Sequence, residues 1–570
     1  MEGPGVSRTT TRQAAATATT PRGRGPVVAA LMLGMALAAL DGTVVSTAVP
    51  QIVGDLGGLS VFSWLFSGYL LAVTVTLPVY GKLCDTFGRK PVLIAGTILF
   101  LIGSLLCAMA WSMGSLIAFR IVQGLGGGAL QGTIQTIAAD LYPLKERPKI
   151  QAKLSSVWAT ASVAGPAAGG LLAGYADWRW IFLINLPVGL VALWLVGRYL
   201  VEPERKSAEA ADSAARADGQ VDPQAAGGDA RAAVPGDAAA PHRARWYRKA
   251  HAVRKAPAVR KVPAVRKVSV VRKVPVDWAG AVTIFATGSL LLTALVQGGI
   301  AWPWLSAPSL GLFAGALALA GVTVLVERRA ADPIIPGWIW RRRTISAVNL
   351  ALGALGLLMV APTVFLPTYA QSVLGLGPIA AGFVLSAMTL SWPVTAALSN
   401  RVYNRIGFRQ TAVIGITLAL LVLLAFPFLP FPGEPWQPAL LMLLLGGALG
   451  LFQLPLIVGV QSTVPYEERG TTTASVLFCR QVGQSVGAAL FGAIANGVLA
   501  SRLGTGTDVD SLAYALGHAD DTLRRAVDAA VDYVYLGAAG AAALALLVLL
   551  TLAPRRFPVL TEHQDRGQSA

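Results

Sequence analysis

Long apolar stretches separated by short polar segments make up most of this 570-residue chain. Fourteen stretches are about 20 residues long or more, enough for a helix rising about 1.5 Å per residue to cross a hydrocarbon layer ~30 Å thick. Their bounds in the sequence are 26–50, 62–81, 91–111, 114–138, 152–174, 180–201, 278–297, 306–326, 345–373, 378–399, 410–429, 438–464, 471–499 and 533–553. Because a bilayer core offers no water to backbone groups, each stretch is expected to be a helix. The pattern predicts an all-α membrane protein with 14 transmembrane helices.

The composition agrees with this class and excludes several others. Only 13% of the residues are charged, whereas soluble domains carry about a quarter. The net charge of +17 does not predict nucleic-acid binding, because the basic residues lie in loops and a linker rather than on a soluble surface. The three cysteines are far apart and the four histidines fall in polar segments, so we expect no disulfide, metal site or cofactor. No nucleophile–base set typical of an enzyme is visible.

The distribution of lysine and arginine predicts the orientation, because these residues concentrate in cytoplasmic loops. Most of them fall in alternate loops that share one side with both termini, and the outer loops hold only Arg179, Arg502, Arg524 and Arg525. Arg22 and Arg24 precede an apolar run, which also occurs in signal peptides, but the run continues to full span length. We therefore expect an even number of spans with both termini in the cytoplasm.

The longest loop, 202–276, divides the chain. Its first half is rich in Ala, Gly, Pro and Asp, which is typical of a flexible linker. Its second half repeats a basic hexapeptide four times between residues 253 and 276 (VRKAPA, VRKVPA, VRKVSV, VRKVPV). Such a segment can be a solvated linker that reinforces the topology, which we favour, or it can bind anionic lipid. Residues 505–532 form the only sizeable outer segment and are predicted to contain a short amphipathic helix.

Asp41 is the most informative residue, because it is the only acid predicted to lie deep within a span. A carboxylate inside a bilayer is costly and by default indicates function. Arg120, in the fourth span, is predicted to lie within about 5 Å of the same depth. The two are therefore expected to be partners. They can form a structural ion pair, or a proton-coupling site in which burial favours the neutral acid and the arginine favours the charged one.

Three further patterns lie in or between the early spans. GKLCDTFGRK, from Gly81, forms a turn between the second and third spans. RIVQGLGGGALQG, from Arg120, places small residues in the fourth span, and AGPAAGG, from Ala164, does so in the fifth. Small residues let helices pack closely, so each pattern alone predicts only packing or a charged loop. The residues singled out are Gly81, Asp85, Gly88 and Arg89 in the turn, and Gly165, Pro166, Gly169 and Gly170 in the fifth span.

Together these patterns resemble the major facilitator superfamily, specifically its fourteen-span drug:proton antiporter branch. LDGTVVSTAVP, from Leu40, is similar to that branch's first-span signature, and DWRWIFLINLPVG, from Asp177, to its sixth. The chain departs from the family pattern at Ser46, Thr86 and Ala161. In the second-half copy of the turn, NRVYNRIGFR, Asn404 stands where the first half has Asp85. The charges of the inner gate are therefore expected to be asymmetric.

The resemblance implies the major-facilitator fold, with two six-helix bundles around a central cavity, two inserted spans and alternating access. The implied segments are a disordered cytoplasmic N-terminus at 1–25, an N-terminal bundle at 26–201, a cytoplasmic linker at 202–276, two inserted helices at 277–344, a C-terminal bundle at 345–553 with its outer loop at 505–532, and a cytoplasmic tail at 554–570. Family residues equivalent to Asp41 and Arg120 bear on proton coupling. Those equivalent to Gly81, Asp85, Gly88 and Arg89 bear on the inner gate, and the fifth-span stretch with Gly165, Pro166, Gly169 and Gly170 resembles the branch's antiporter motif.

The predicted function is proton-coupled efflux of a lipophilic drug or a self-made antibiotic across a bacterial cytoplasmic membrane, by a protein expected to be monomeric. The scarcity of membrane acids favours neutral, monocationic or lipophilic anionic substrates. An exporter of a lipid, siderophore or other metabolite, a proton symporter, and a membrane sensor or scaffold are the alternatives. The candidate substrate residues are Gln123, Tyr369, Trp392, Gln453, Arg480 and Gln481. Among these, Arg480 requires either a partner or an anionic ligand, because its charge lies within a span.

Overall fold

The computed structural model describes residues 24–57, 64–142, 146–175, 177–201, 277–298, 302–330, 333–503 and 521–558. The predictions for 1–23, for the linker at 202–276 with its basic repeats, for residues 505–520 of the outer segment, and for the tail beyond 558 lie outside these residues. The described part is helical, and an isolated bridge between Gly298 and Trp302 is its one β contact.

Seven helices make up the part of the first half that the structure describes. They are α1 (Arg24–Leu56), α2 (Trp64–Phe87), α3 (Arg89–Ala108), α4 (Met113–Leu141), α5 (Arg147–Tyr175), α6 (Trp180–Leu183) and α7 (Asn185–Tyr199). α2 and α3 are separated only by Gly88, whose φ of 95° is a left-handed conformation that glycine adopts without strain. Ser112 caps α4, because its hydroxyl accepts a hydrogen bond from the Ser115 amide at 3.2 Å.

Two helices precede the second half and pack against each other, α8 (Trp278–Gln297) and α9 (Ala307–Arg329). Asp277 caps α8 by accepting a hydrogen bond from the Gly280 amide at 2.7 Å. α8 also packs against α2. These helices occupy the positions that the sequence predicts for the two inserted spans.

The described residues of the second half form eight α-helices. They are α10 (Trp338–Arg341), α11 (Arg343–Leu358), α12 (Leu366–Ser372), α13 (Pro378–Ile406), α14 (Phe408–Ala425), α15 (Trp436–Gln461), α16 (Arg469–Leu503) and α17 (Asp521–Thr551). A π-helical turn, Ala361–Phe365, joins α11 to α12 in one continuous stretch. Residues 521–532 are the start of α17, so they continue into the last span and do not form the separate amphipathic helix that the sequence suggested.

Within the described residues, twelve helical stretches are long and apolar enough to cross a membrane. α1 and α5 are also long enough to cross a membrane, but the surroundings of several of their residues lie outside the described part, and within the described residues the apolar stretch of α1 is Gly25–Asp41. The helical membrane class is thus confirmed, and the number of fourteen spans stays a prediction.

Each half has its own hydrophobic core. One large cluster of buried side chains extends from Ile339 to Phe557, and two clusters in the first half lie between Val27 and Leu200. The halves meet where α2 packs against α16 and α5 against α13. The candidates Asp41, Arg120 and Gln123 therefore lie inside the first half, the Gly81–Arg89 turn lies at its contact with the second half, and the other substrate candidates lie on second-half helices.

Candidate functional site

Asp41 of α1 and Arg120 of α4 form an ion pair inside the first half. Arg120 Nη1 lies 2.6 Å from Asp41 Oδ2, and the two side chains are 1% and 0% exposed. The pairing agrees with the matching depths read from the sequence. Removing one partner of such a buried pair strongly destabilises the protein, because the other charge is left buried without compensation.

Gln123 completes this pair from the next turn of α4. Its Nε2 donates to Asp41 Oδ1 at 2.8 Å, and its Oε1 accepts from Arg120 Nη1 at 2.7 Å. Each Asp41 oxygen therefore accepts one hydrogen bond from a different side chain. We predicted Gln123 as a substrate residue, but the structure places it fully buried between the two charges.

A hydroxyl extends the cluster to two more helices. Gln123 Nε2 lies 3.3 Å from Ser104 Oγ of α3, and Asn185 Nδ2 of α7 lies 3.0 Å from the same oxygen. Ser104 in turn donates to the Phe182 carbonyl at 2.9 Å. This polar cluster, comprising Asp41, Arg120, Gln123, Ser104 and Asn185, joins α1, α3, α4 and α7.

The Arg120 guanidinium also packs near two aromatic rings. Its carbon lies 4.2 Å from the centre of the Tyr69 ring and 5.7 Å from that of Phe182. Arg120 Nε donates to the Leu65 carbonyl at 3.3 Å. Because cation–π and hydrogen-bond contacts together satisfy the group, its charge can persist in a dry interior.

The turn between α2 and α3 holds the second candidate site. Asp85 is 8% exposed and accepts hydrogen bonds from the amides of Gly470 at 2.9 Å and Thr471 at 2.6 Å. The Thr471 hydroxyl also donates to it at 2.7 Å. These amides belong to the first turn of α16, where the helix dipole favours a negative charge. Asp85 thus ties the first half to the N-terminus of a second-half helix.

Arg89 and Arg469 share a second acid, Asp140, at the end of α4. Arg89 Nε lies 2.9 Å and Arg469 Nη1 3.3 Å from the Asp140 carboxylate. Arg89 also lies 3.4 Å from Asp85 and 3.7 Å from the Tyr466 ring centre. We call Asp85, Arg89, Asp140 and Arg469 the inner network; it crosses the boundary between the two halves.

Gly81 permits the close contact that this network needs. A Cβ at this position would lie 2.4 Å from the Ala474 Cβ and 2.9 Å from the Gly470 carbonyl oxygen. Real carbon atoms do not approach so closely, so α2 and α16 meet at this distance only with glycine.

The remaining predicted residues are placed in three ways. Gly165 is buried in α5, whereas the side-chain surroundings of Pro166, Gly169 and Gly170 lie outside the described part. Tyr369 is 1% exposed and packs edge-on against Phe426, in the core of the second half rather than on an open face. The half-buried candidates are Trp392 on α13, Gln453 on α15, and Arg480 and Gln481 on α16.

Asp140, Arg469 and Tyr466 are functional candidates that the sequence did not single out. In the sequence, Asp140 is simply an acid that follows the fourth predicted span. Its position at the same end of the helices as the Gly81–Arg89 turn was the one available signal. The roles of Arg469 and Tyr466 depend on contacts with Asp140 and Arg89, which lie 329 and 377 residues away in the chain.

The chain belongs to the major facilitator superfamily, whose family model matches residues 31–364 and 279–488. It is therefore a multi-pass membrane transporter that handles small molecules, as its sequence predicted, and not an enzyme.

Two relatives come from Bacillus subtilis (strain 168). The chain is 30% identical to multidrug transporter protein MdtP over 82% of its own length and 75% of the relative's. It is 29% identical to multidrug resistance protein 3 over 84% and 80% of the two chains. Its fold matches the proton:xylose symporter XylE, solved with 6-bromo-6-deoxy-D-glucose, with a TM-score of 0.55 and 13% identity over 96% of this chain and 99% of that one.

Proposed function

We propose that the protein is a proton-coupled exporter of lipophilic drugs or of a self-made antibiotic, working by alternating access across a bacterial cell membrane. The kinship to two multidrug proteins supports efflux. The observation that carries proton coupling is the buried Asp41, whose two oxygens each accept one bond from a neighbouring side chain.

The geometry around Asp41 links protonation to helix packing. A proton on this carboxyl removes the charge that holds Arg120, and it competes with the donors at both oxygens. Because Arg120 and Gln123 belong to α4, their bonds to Asp41 hold α1 against α4. Proton binding from one side of the membrane therefore weakens this contact, and proton release restores it.

One proton per cycle is energetically sufficient. An inward-moving proton supplies about 2.3 kcal/mol per 100 mV of membrane potential and about 1.4 kcal/mol per pH unit. Export against a hundredfold gradient costs about 2.7 kcal/mol. A single coupling acid can thus drive concentrative efflux, which fits the one deep acid predicted from the sequence.

The inner network gives the cycle its gate. With the termini assigned to the cytoplasm, Asp85 and Arg89 hold the cytoplasmic ends of α2 and α16 together. We assign the N-terminal bundle, 26–201, and the C-terminal bundle, 345–553, as the two bodies that rock about the central cavity. Opening to the cytoplasm then requires release of the Asp85 bonds to α16.

Dye accumulation in everted membrane vesicles with an imposed pH gradient tests the proposal. We expect the wild type to accumulate lipophilic dyes and Asp41→Asn to lose gradient-driven accumulation at least tenfold, because asparagine cannot carry the proton. The matched control is Asp55→Asn on the same helix, where the acid is exposed and accepts from Trp178 Nε1, as an amide also can. It should remain within twofold of the wild type.

Two results would contradict parts of this proposal. Undiminished gradient-driven accumulation in Asp41→Asn would reduce the Asp41–Arg120 pair to a structural contact between α1 and α4. If the wild type accumulated no neutral, cationic or anionic dye, broad drug efflux would be excluded, and a transporter of one lipid, siderophore or metabolite, or a sensor, would replace it.

A further inference from the structure

Arg480 differs from the buried arginines discussed above, because no acid among the described residues compensates it. Its Nε atom is shielded from solvent and has no hydrogen-bond partner, and no described residue forms an ion pair with it. Arg120, by contrast, has Asp41, and Arg89 and Arg469 share Asp140. A cation held within a span without an anion is costly. This one is therefore available to an anion that is not part of the chain.

Gln453 contributes a second unsatisfied group at a similar depth. Its Oε1 atom is buried and accepts no hydrogen bond in the described structure. Gln453 precedes the inner end of α15 by eight residues, and Arg480 follows the inner end of α16 by eleven, which places both about 12–16 Å from those ends. An amide oxygen without a donor is suited to a ligand that carries an O–H or N–H group.

The helical register places both residues on faces directed toward the same small cavity between the halves. Ile457 and Val460 of α15 line this cavity together with Thr473 and Leu477 of α16, and Gln135 of α4 closes it from the first half. Gln453 lies four and seven residues before the two α15 residues, so it shares their face one turn farther out. Arg480 follows Thr473 by seven residues and Leu477 by three, and continues their face in the same direction.

We propose that Arg480 and Gln453 form a binding site for a lipophilic organic anion that carries a neighbouring hydrogen-bond donor. The guanidinium pairs with the carboxylate, sulfonate or phenolate of the ligand, and the Gln453 oxygen accepts from its O–H or N–H. This inference rests on the proposed function and names its substrate class. It narrows the possible substrates from neutral, monocationic and lipophilic anionic compounds to amphiphilic acids.

A pair of probes isolates the charge. 1-Anilinonaphthalene-8-sulfonate carries one sulfonate beside an N–H group, and N-phenyl-1-naphthylamine has the same rings and N–H without the sulfonate. Binding of each is measured to the full-length protein in phosphatidylcholine nanodiscs, with empty nanodiscs subtracted. No gradient is present, so this measurement does not depend on proton coupling.

We expect Arg480→Gln to lower the ratio of sulfonate to neutral-probe affinity about tenfold, and Arg480→Lys to restore most of it. Gln453→Glu should lower the ratio by a similar factor, since the new carboxylate would occupy the guanidinium. The matched control is Arg502→Gln, an exposed arginine on the same helix, which should leave the ratio unchanged.

The site is overturned if the wild type shows no preference for the sulfonate probe over the neutral one, or if Arg480→Gln retains that preference while remaining folded by size-exclusion chromatography. A retained preference in Gln453→Glu removes Gln453 from the site. If the vesicles show no transport but the charge preference depends on Arg480, the export proposal fails and the anion site stands.

An anionic lipid head group offers the same chemistry as a soluble acid. Nanodiscs containing phosphatidylglycerol distinguish the two sources. A loss of sulfonate-probe affinity in the wild type that Arg480→Gln does not show identifies a lipid anion in the site. Unchanged affinity identifies a soluble organic acid. Either result supports an anion site at Arg480.

Discussion

The chain contains two versions of the same inner turn, and they differ in what they bind. The first turn, 81–90, joins α2 to α3, and the second turn, 400–409, joins α13 to α14. Both pass through a left-handed glycine, with φ of 95° at Gly88 and 89° at Gly407. Both also place a basic residue against the last helix of their own half: Lys90 Nζ donates to the Gly197 carbonyl at 2.9 Å, and Arg409 Nε to that of Leu549 at 2.8 Å.

The difference lies in the contacts with the opposite half. Asp85 is buried against α16, whereas the corresponding Asn404 is exposed. Arg89 joins the inner network, whereas the corresponding Phe408 packs against Tyr403 in a tilted arrangement, with ring centres 4.7 Å apart. The repeat has kept the bonds that hold each half together. The ionic contacts described between the halves involve the first turn and not the second. We therefore expect substitutions in the first turn to have much larger effects.

Gly81→Val should have the largest effect. The added carbons would collide with Ala474 and the Gly470 carbonyl, so α2 and α16 could no longer pack at their present distance. We expect vesicle transport to fall more than twentyfold while the protein still elutes as a folded species. Asn400→Val, at the corresponding position of the second turn, is the control and should stay within twofold. Equal losses in both variants would show that the turns are equivalent.

Asp85→Asn should slow transport about tenfold or more. It replaces charge-assisted bonds, each contributing about 1.5–3 kcal/mol, by those of a neutral amide that the second turn already carries. Hydrogen exchange at the amides of Gly470 and Thr471 should accelerate in step. Normal protection of these amides in the variant would mean that the carboxylate does not hold the gate.

Lys90→Ala and Arg409→Ala should have smaller and similar effects on thermal stability. Each removes a cation from carbonyls near the end of a helix, where the contribution is about 0.3–1 kcal/mol. Thermal unfolding of the two variants should therefore shift downward by comparable amounts, with little change in transport. A much larger shift for one of them would break the correspondence of the two turns.

Asn404→Asp should have the smallest effect. It restores to the second turn the acid of the first, but the side chain is exposed, and Phe408 stands where the first turn has Arg89. We expect transport within twofold of the wild type, measured beside Asp85→Asn. A large gain or loss would reveal an ionic contact of the second turn in another conformation of the cycle.

The helical class and the Asp41–Arg120 pair could be predicted because both follow from local information. Apolar length marks a membrane helix, and an uncompensated charge in such a helix requires a partner at its own depth. Gly81, Asp85 and Arg89 were identified only through the resemblance of the turn to the family's loop motif. Asn404 was recognised as a departure from the repeat before its exposure was known.

The remaining contacts depend on how the halves meet. Gln123 could not be distinguished from a cavity residue, because its place between Asp41 and Arg120 depends on the rotation of α4. Asp140 and Arg469 lie far apart in the chain, and the residues around each give no sign that the two side chains form an ion pair. Tyr369 was expected in the cavity, but an aromatic side chain on a span fits a packed core equally well.

The bonds that Asp85 forms with α16 have a consequence for how this sequence can diverge. Two of the three donors are main-chain amides, which every amino acid except proline supplies. At position 471, many residues would keep the hydrogen bond that the main-chain amide donates to Asp85. Only the bond from the Thr471 hydroxyl would be lost. Position 470 is restricted for a different reason, because any Cβ there would lie 2.6 Å from the Asp85 carboxylate. Comparison of distant homologues by side-chain covariation would therefore miss this contact, even where it survives.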